Sequence, residues 1–435
     1  MLEEQFSGAG HARVLVVLKP QKTTRVDGRS ALAVDDTIAL QIEAARSITP
    51  HFKKFRNSRT AVFERELAQS RASQGLSFAF APDPGVEAVG KSDAYDYYPN
   101  LGVMLGTVDQ AGLAALRGNS REVRAVMAVP DMTLIQPIEE DEAGLAGPPI
   151  GNSWALERLR VPALWEKGFT GAGVTIGHLD TGVDRSHPAV AHAVDAFAHF
   201  DETGRQIVNA QAFDSRLHGT HTAGILVGKP FEGLTFGVAP EARLASALVI
   251  EGGDVAKRVF GGLNWCIDQG VRVINVSLGL KVFQPLFSSV FKIVRQRGIL
   301  PVVAIGNEGY PTSRTPGNLP ESLSVGATDE QEQIWYNSSS QQLPEKPRRH
   351  VPSLIAPGAM IWSSVPGGKL KVLSGTSMAA PHISGLAALL MEAKPDATID
   401  EIEKAIFGSC KRPEGISTLR GNRGIPDGVA ALNAL

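Results

Sequence analysis

The sequence predicts an α/β domain with a mostly parallel sheet, preceded by a small α+β domain. Three observations predict it. Val174-Thr175-Ile176-Gly177-His178-Leu179-Asp180 is a β-branched run ending in an acid and a glycine turn, the pattern of a strand buried on both faces. His218 and Ser377 each stand directly before a small, apolar stretch (Ile225-Leu226-Val227 and Ile383 to Met391) that reads as a buried helix. The first 138 residues have a β-α-β-like order of their own.

Within those 138 residues, Ala12–Leu18 reads as a strand, and Asp36 to about Ser73 as charged and helical, broken at Pro50. Leu101–Val108 reads as a second strand, Asp109 as the cap of a helix to about Leu116, and Val123–Ile135 as one or two more strands. Residues 139–153 begin acidic and continue Gly/Pro-rich through Gly147-Pro148-Pro149, and read as a linker. Residues 154–435 then form the larger domain.

Three residue types in the larger domain suit nucleophilic catalysis. Asp180 ends its strand at the C-terminal edge of the sheet, where open α/β sheets build sites. His218 can take a proton near neutral pH, and an acid such as Asp180 can fix its tautomer. Ser377 in Gly375-Thr376-Ser377-Met378-Ala379 stands at a helix start, where unpaired N–H groups and the helix dipole favour negative charge. The same residues also suit an N-cap. Val302-Val303-Ala304-Ile305-Gly306-Asn307 adds a strand followed by a Gly-Asn turn, and the Asn307 amide suits an oxyanion donor beside the backbone N–H of Ser377.

Five segments carry a resemblance: HLDTGVDRSHP (178–188), HGTHTAGILVG (218–228), VINVSLG (273–279), VVAIGNEG (302–309) and GTSMAAPHISG (375–385). In this order and spacing the chain from about Trp154 resembles the subtilases, the subtilisin-like serine peptidases. The resemblance implies a three-layer catalytic domain, a triad of Asp180, His218 and Ser377, and Asn307 as oxyanion donor. It implies that Ser277, Leu278, Gly279 and Gly306 line the substrate cleft, where an extended peptide adds a strand. Thr315-Pro316-Gly317 resembles the turn beside the pocket for the residue preceding the scissile bond, with Thr315-Pro316 a candidate cis peptide. Arg314 stands where the family more often has a small residue. It is read as solvent-facing; pointing into the pocket, it would favour acidic or polar side chains there.

The N-terminal 138 residues are similar to the subtilase propeptide, an α+β (ferredoxin-like) domain whose tail threads the cleft, though longer. The implied partners are a polypeptide substrate and this domain bound in cis, with a regulatory protein partner left open. Self-cleavage is expected between Glu139 and Pro149, with Leu145 a candidate residue before the cut; the competing reading is a permanently attached domain. The expected activity is endopeptidase hydrolysis through an acyl-enzyme. Its alternative is a peptide-binding protein on the same fold, held shut by its own N-terminal domain.

Other features are read blandly. His178, His221 and His382 are expected to be structural, Asp184 and His187 to shape a turn, and Cys266 and Cys410 to be core thiols. No cofactor and no metal site are assigned: Ala189 and the loop Gly228–Gly233 lack the oxygen ligands by which many secreted subtilases hold calcium, so none is expected at that site, and calcium elsewhere stays open. Across 435 residues the chain is 43% hydrophobic and 20% charged with a net charge of −2, which gives no reason to expect nucleic acid or a membrane as partner. Met1-Leu2-Glu3-Glu4-Gln5 lacks the pattern of a signal peptide, and two cysteines make no disulfide framework, so a cytoplasmic location is expected.

Overall fold

The computed structural model describes residues 2–19, 42–55, 94–129, 131–142, 147–345 and 347–435. Most of the expected helical stretch between Asp36 and Ser73, and Leu145 with it, lies outside the described residues. The chain divides into two compact units: a smaller one of residues 1–131, 201–205 and 252–264, and a larger one holding the rest. The expected boundary at residue 138 falls within the larger unit, in the short strand Ile138–Glu139.

In the smaller unit, strands Tyr95–Tyr98, Val103–Val108, Ala12–Leu18 and Val123–Ala128 lie side by side in that order, all antiparallel. The first strand in sequence sits between the third and the last, which is the ferredoxin-like arrangement. Asp109 caps helix Gln110–Gly118 by accepting from Gly112 N at 2.7 Å. Val14, Val16, Leu18, Met104, Val108 and Leu116 form its core with Ile48. Residues 252–264 join this unit through charge and amide contacts. Arg13 pairs with Asp254 at 2.5 Å, Lys257 with Asp96 at 2.5 Å, and the Tyr98 hydroxyl donates to the Lys257 carbonyl. Asn264 accepts from Asn100 N.

The larger unit is built on an eight-stranded sheet. Its order is Gln206–Ile207, Val194–Phe200, Arg243–Leu248, Thr175–Asp180, Val273–Val276, Leu300–Ala304, Leu323–Thr328 and Leu354–Pro357. All neighbours are parallel except the first pair. Every residue of Thr175–Asp180 is buried, as a β-branched run between two covered faces requires. Helix Thr376–Ala393 is apolar on nearly all sides and buried for its first sixteen residues. It packs against strands Val273–Val276, Leu300–Ala304, Leu323–Thr328 and Leu354–Pro357 and against helix His218–Val227. Helix His218–Val227 starts against the strand edge that carries Asp180, and helix Thr376–Ala393, which carries Ser377, packs along it. No helix among the described residues is long and apolar enough to cross a membrane.

Candidate active site

Asp180 ends its strand fully buried, and His218 is the first residue of its helix. His218 Nδ1 lies 2.7 Å from Asp180 Oδ1. Close approach makes this possible: a Cβ on Gly219 would come within 2.0 Å of the Gly182 carbonyl oxygen, so the helix start can touch the turn after Asp180 only as glycine. The carboxylate also accepts from Thr181 N at 2.7 Å and from the Thr222 hydroxyl at 3.2 Å. Burial alone would raise its pKa; the neighbouring His218 and His178 rings outweigh burial and hold it well below the usual carboxylate range.

Two further side chains hold this corner, His178 as the sequence reading expected and Asp214 in addition to it. His178, expected to be plain core, bonds Ser246 Oγ at 2.9 Å and Thr222 Oγ1 at 2.8 Å, and its Nε2 is 3.6 Å from Asp180 Oδ2. Asp214 braces the start of the His218 helix: it accepts from Thr220 N and the Thr220 hydroxyl at 2.7 Å, and from the Thr181 hydroxyl at 2.7 Å. An acid four residues ahead of a helix-opening histidine was the signal available for it.

Ser377 is the second residue of its helix, after Gly375 at the N-cap position and Thr376, so the N-cap reading does not hold. Its Oγ is fully buried and donates to the Ile135 carbonyl at 3.0 Å. His218 Nε2 is buried and has no hydrogen-bond partner among the described residues. Asn307 is tied to the serine helix, its Oδ1 accepting from Thr376 N at 2.9 Å and from the Thr376 hydroxyl at 2.8 Å. Its Nδ2 donates to the Gln136 carbonyl at 2.8 Å. Gly306, at φ +125°, turns the chain from strand Leu300–Ala304 into Asn307.

A segment of the chain's own backbone thus lies along these groups. Thr133 and Leu134 pair antiparallel with Gly279 and Leu278, and Ile135 N donates to the Ser277 carbonyl at 3.0 Å. Beyond Pro137, Ile138 and Glu139 pair with Ser374 and Leu373, and Glu139 pairs with Lys371. The Ile135 side chain is fully buried in the main apolar cluster. Full burial of such a side chain contributes about 2 kcal/mol toward holding the segment in place.

Arg314 corrects the solvent-facing expectation. It is only 4% exposed; its Nε donates to Glu308 at 3.0 Å, and its Nη1 to the Thr133 hydroxyl at 2.8 Å. The reason is a carboxylate six residues earlier that compensates the buried guanidinium. Thr315-Pro316 is cis, as are Tyr310-Pro311 and Val351-Pro352. Cys266 is buried and Cys410 half-buried, both as free thiols, and burial pushes the Cys410 thiol up to about 12. Among the described residues no group of three or more His, Cys, Asp or Glu could hold a metal ion.

His221 and His382 are structural by their contacts. His221 Nε2 reaches the Ile361 and Lys371 carbonyls at 3.1 Å, and His382 Nδ1 the Met378 carbonyl at 2.8 Å. Burial lowers them from 6.5 to about 3 and about 4. A base with a depressed folded pKa binds fewer protons folded than unfolded, so its stabilisation is complete above the unfolded value and lost as pH falls below it. Urea unfolding of the Ser377→Ala chain is therefore expected to show stability falling from about pH 6.5 to pH 4, by up to roughly 1 kcal/mol per pH unit for each histidine. A flat profile across that window would contradict it.

These positions identify a protein class. A profile of the subtilase family matches residues 171–422, more than half of the chain, and the chain belongs to that family: it is a subtilisin-like serine protease, a hydrolase of three-layer α/β fold whose substrate is polypeptide. Among its relatives, the subtilisin-like protease PopC of Myxococcus xanthus is 30% identical over 81% of this chain and 82% of its own. The major intracellular serine protease of Bacillus subtilis is 32% identical over 54% of this chain and 73% of its own. Subtilisin E of Bacillus subtilis is 30% identical over 62% and 67%. The PopC match is longer than the family profile and so takes in residues outside 171–422.

Proposed function

We propose that the protein is an endopeptidase acting through an acyl-enzyme on Ser377. His218 is the general base that takes the serine proton and later delivers it to the leaving amine, and Asp180 holds the imidazole and stabilises its charged form. The Asn307 amide and the Ser377 backbone N–H receive the oxyanion. The observation that carries this reading is the 2.7 Å Asp180–His218 contact, on a helix packed against the one whose buried serine hydroxyl touches a peptide carbonyl. Ser277, Leu278 and Gly279 receive the substrate backbone, since a peptide segment already pairs with them.

The same segment supports the second half of the proposal: residues 133–139 shut the cleft against other peptides. The bond nearest Ser377 is Ile135–Gln136, but Asn307 holds the carbonyl of Gln136, one residue beyond the carbonyl that the serine touches. Oxyanion donor and nucleophile thus address different carbonyls, which suits a blocker better than a substrate. Cutting between Glu139 and Pro149 requires that stretch to replace Thr133–Gln136 in the cleft. Regulation by the N-terminal residues then consists of releasing this strand, by a partner or a cut elsewhere.

Hydrolysis of a denatured protein tests both halves. The full chain is expected to be slow, and Ile135→Asp, which puts a charge into the apolar cluster and expels the strand, at least tenfold faster. Equal rates remove the blocking strand from the account; no hydrolysis by either chain removes the enzyme. Asn307→Ala in the released form is expected to lose roughly a hundred- to a thousand-fold in kcat with little change in KM. A loss confined to KM would assign Asn307 to substrate binding alone.

A further inference from the structure

We infer that Arg314 makes the cleft selective for a hydrogen-bond acceptor on the third residue before the scissile bond, with a carboxylate preferred over a hydroxyl. The inference rests on the proposed cleft and deepens it. Counting back from Ile135, the residue whose carbonyl meets Ser377, Thr133 is third. Its partner across the pairing is Gly279, whose missing side chain lets the Thr315 carbonyl approach to 2.4 Å and the Arg314 Cβ to 3.3 Å of where a Cβ would stand. Arg314 Nη1 donates to Thr133 Oγ1 at 2.8 Å and lies 3.4 Å from the Leu134 and Gly279 carbonyls.

The guanidinium cannot swing away, because Nε and Nη2 are both committed to Glu308. That leaves one fixed fork end toward the visiting side chain, and Arg314 is itself buried, so losing its short partner there is costly. Lys281 Nζ stands 3.7 Å from Glu308, so the carboxylate is shared between two cations and the subsite keeps a net positive charge. A threonine hydroxyl satisfies the donor; an aspartate or glutamate would satisfy the donor and the charge. An aliphatic side chain would leave Nη1 only its long contacts to the Leu134 and Gly279 carbonyls.

The test uses the full Ser377→Ala chain, in which the strand stays in place, and reads hydrogen exchange at the Ile135 amide, which donates to Ser277. Thr133 is exposed, so its variants do not threaten the fold. Thr133→Val is expected to speed exchange about tenfold, the scale of losing a bond to a charged donor, and Thr133→Asp to slow it. Both differences are expected to vanish in an Arg314→Met background. Unchanged exchange in Thr133→Val and Thr133→Asp overturns the inference, and so does a difference that survives Arg314→Met. In the released enzyme, peptides with Asp, Thr or Val at the third position before the cut are expected to rank in that order of kcat/KM. Cleavage without such ranking also overturns it. If no peptide is cleaved while the exchange differences appear, the catalytic proposal fails and the Arg314 contact stands.

Discussion

Replacing Ser377 by alanine is expected to lower turnover on any peptide by about six orders of magnitude, the scale seen when the nucleophile of such a triad is removed. The residue makes this a clean test. Ser377 is buried in the first turn of helix Thr376–Ala393, and among the described residues its hydroxyl bonds Ile135 O of the cleft segment. Losing one hydroxyl there removes the nucleophile without opening the core. The check is kcat on a released form such as Ile135→Asp, with and without the substitution, beside a thermal melt. A residual rate within a hundredfold of the parent would mean that the nucleophile lies elsewhere.

Asp180→Asn is expected to cost about ten-thousand-fold in kcat, or roughly 5 kcal/mol of barrier, with KM nearly unchanged. The shape is conserved, so the loss is electronic. An amide in place of the carboxylate can offer His218 Nδ1 an N–H, which stabilises the tautomer that cannot accept the serine proton. It also removes the negative charge against which the imidazolium forms. The surroundings cannot take over that role: Thr181 N and the Thr222 hydroxyl donate to the carboxylate, and His178 stands 3.6 Å away. A KM effect with kcat unchanged would assign Asp180 to substrate binding and contradict the role given to it.

Asp180, His218 and Ser377 could be placed because each sits at the end of a regular element whose pattern is local, and Asn307 because it stands in the turn after one. A β-branched run stops at Asp180, and small, apolar helices start at His218 and at Ser377. Asp214 was not legible as part of this corner, since its partners Thr181 and Thr220 lie on other segments, while His178 was legible as a core residue beside the acid but not its bonds to Ser246 and Thr222. Arg314 was misjudged for the same reason. An arginine alone in sequence reads as surface, and only the turn that returns it to Glu308 shows how its charge is compensated.

The cleft segment was the least legible part. Met132-Thr133-Leu134-Ile135-Gln136-Pro137-Ile138-Glu139 holds two strands of two residues each, too short for an alternating pattern and separated by a proline. What fixes it is pairing with Leu278-Gly279 and with Leu373-Ser374, well over a hundred residues away. The smaller unit shows a similar limit. Its own strands were readable from Ala12 and Leu101 onward, while its inclusion of residues 252–264 depends on pairs such as Arg13–Asp254 and Lys257–Asp96.

The central claim is that Ser377 is the nucleophile of a site that opens when residues 133–139 leave it. Mass mapping of a fluorophosphonate adduct on the full chain, on Ile135→Asp and on Ile135→Asp with Ser377→Ala tests it most directly. The expected result is slow labelling of the full chain, fast labelling of Ile135→Asp at Ser377 alone, and no adduct once Ser377 is alanine. An adduct on another residue, or no adduct at Ser377 in a folded Ile135→Asp chain, would contradict the claim.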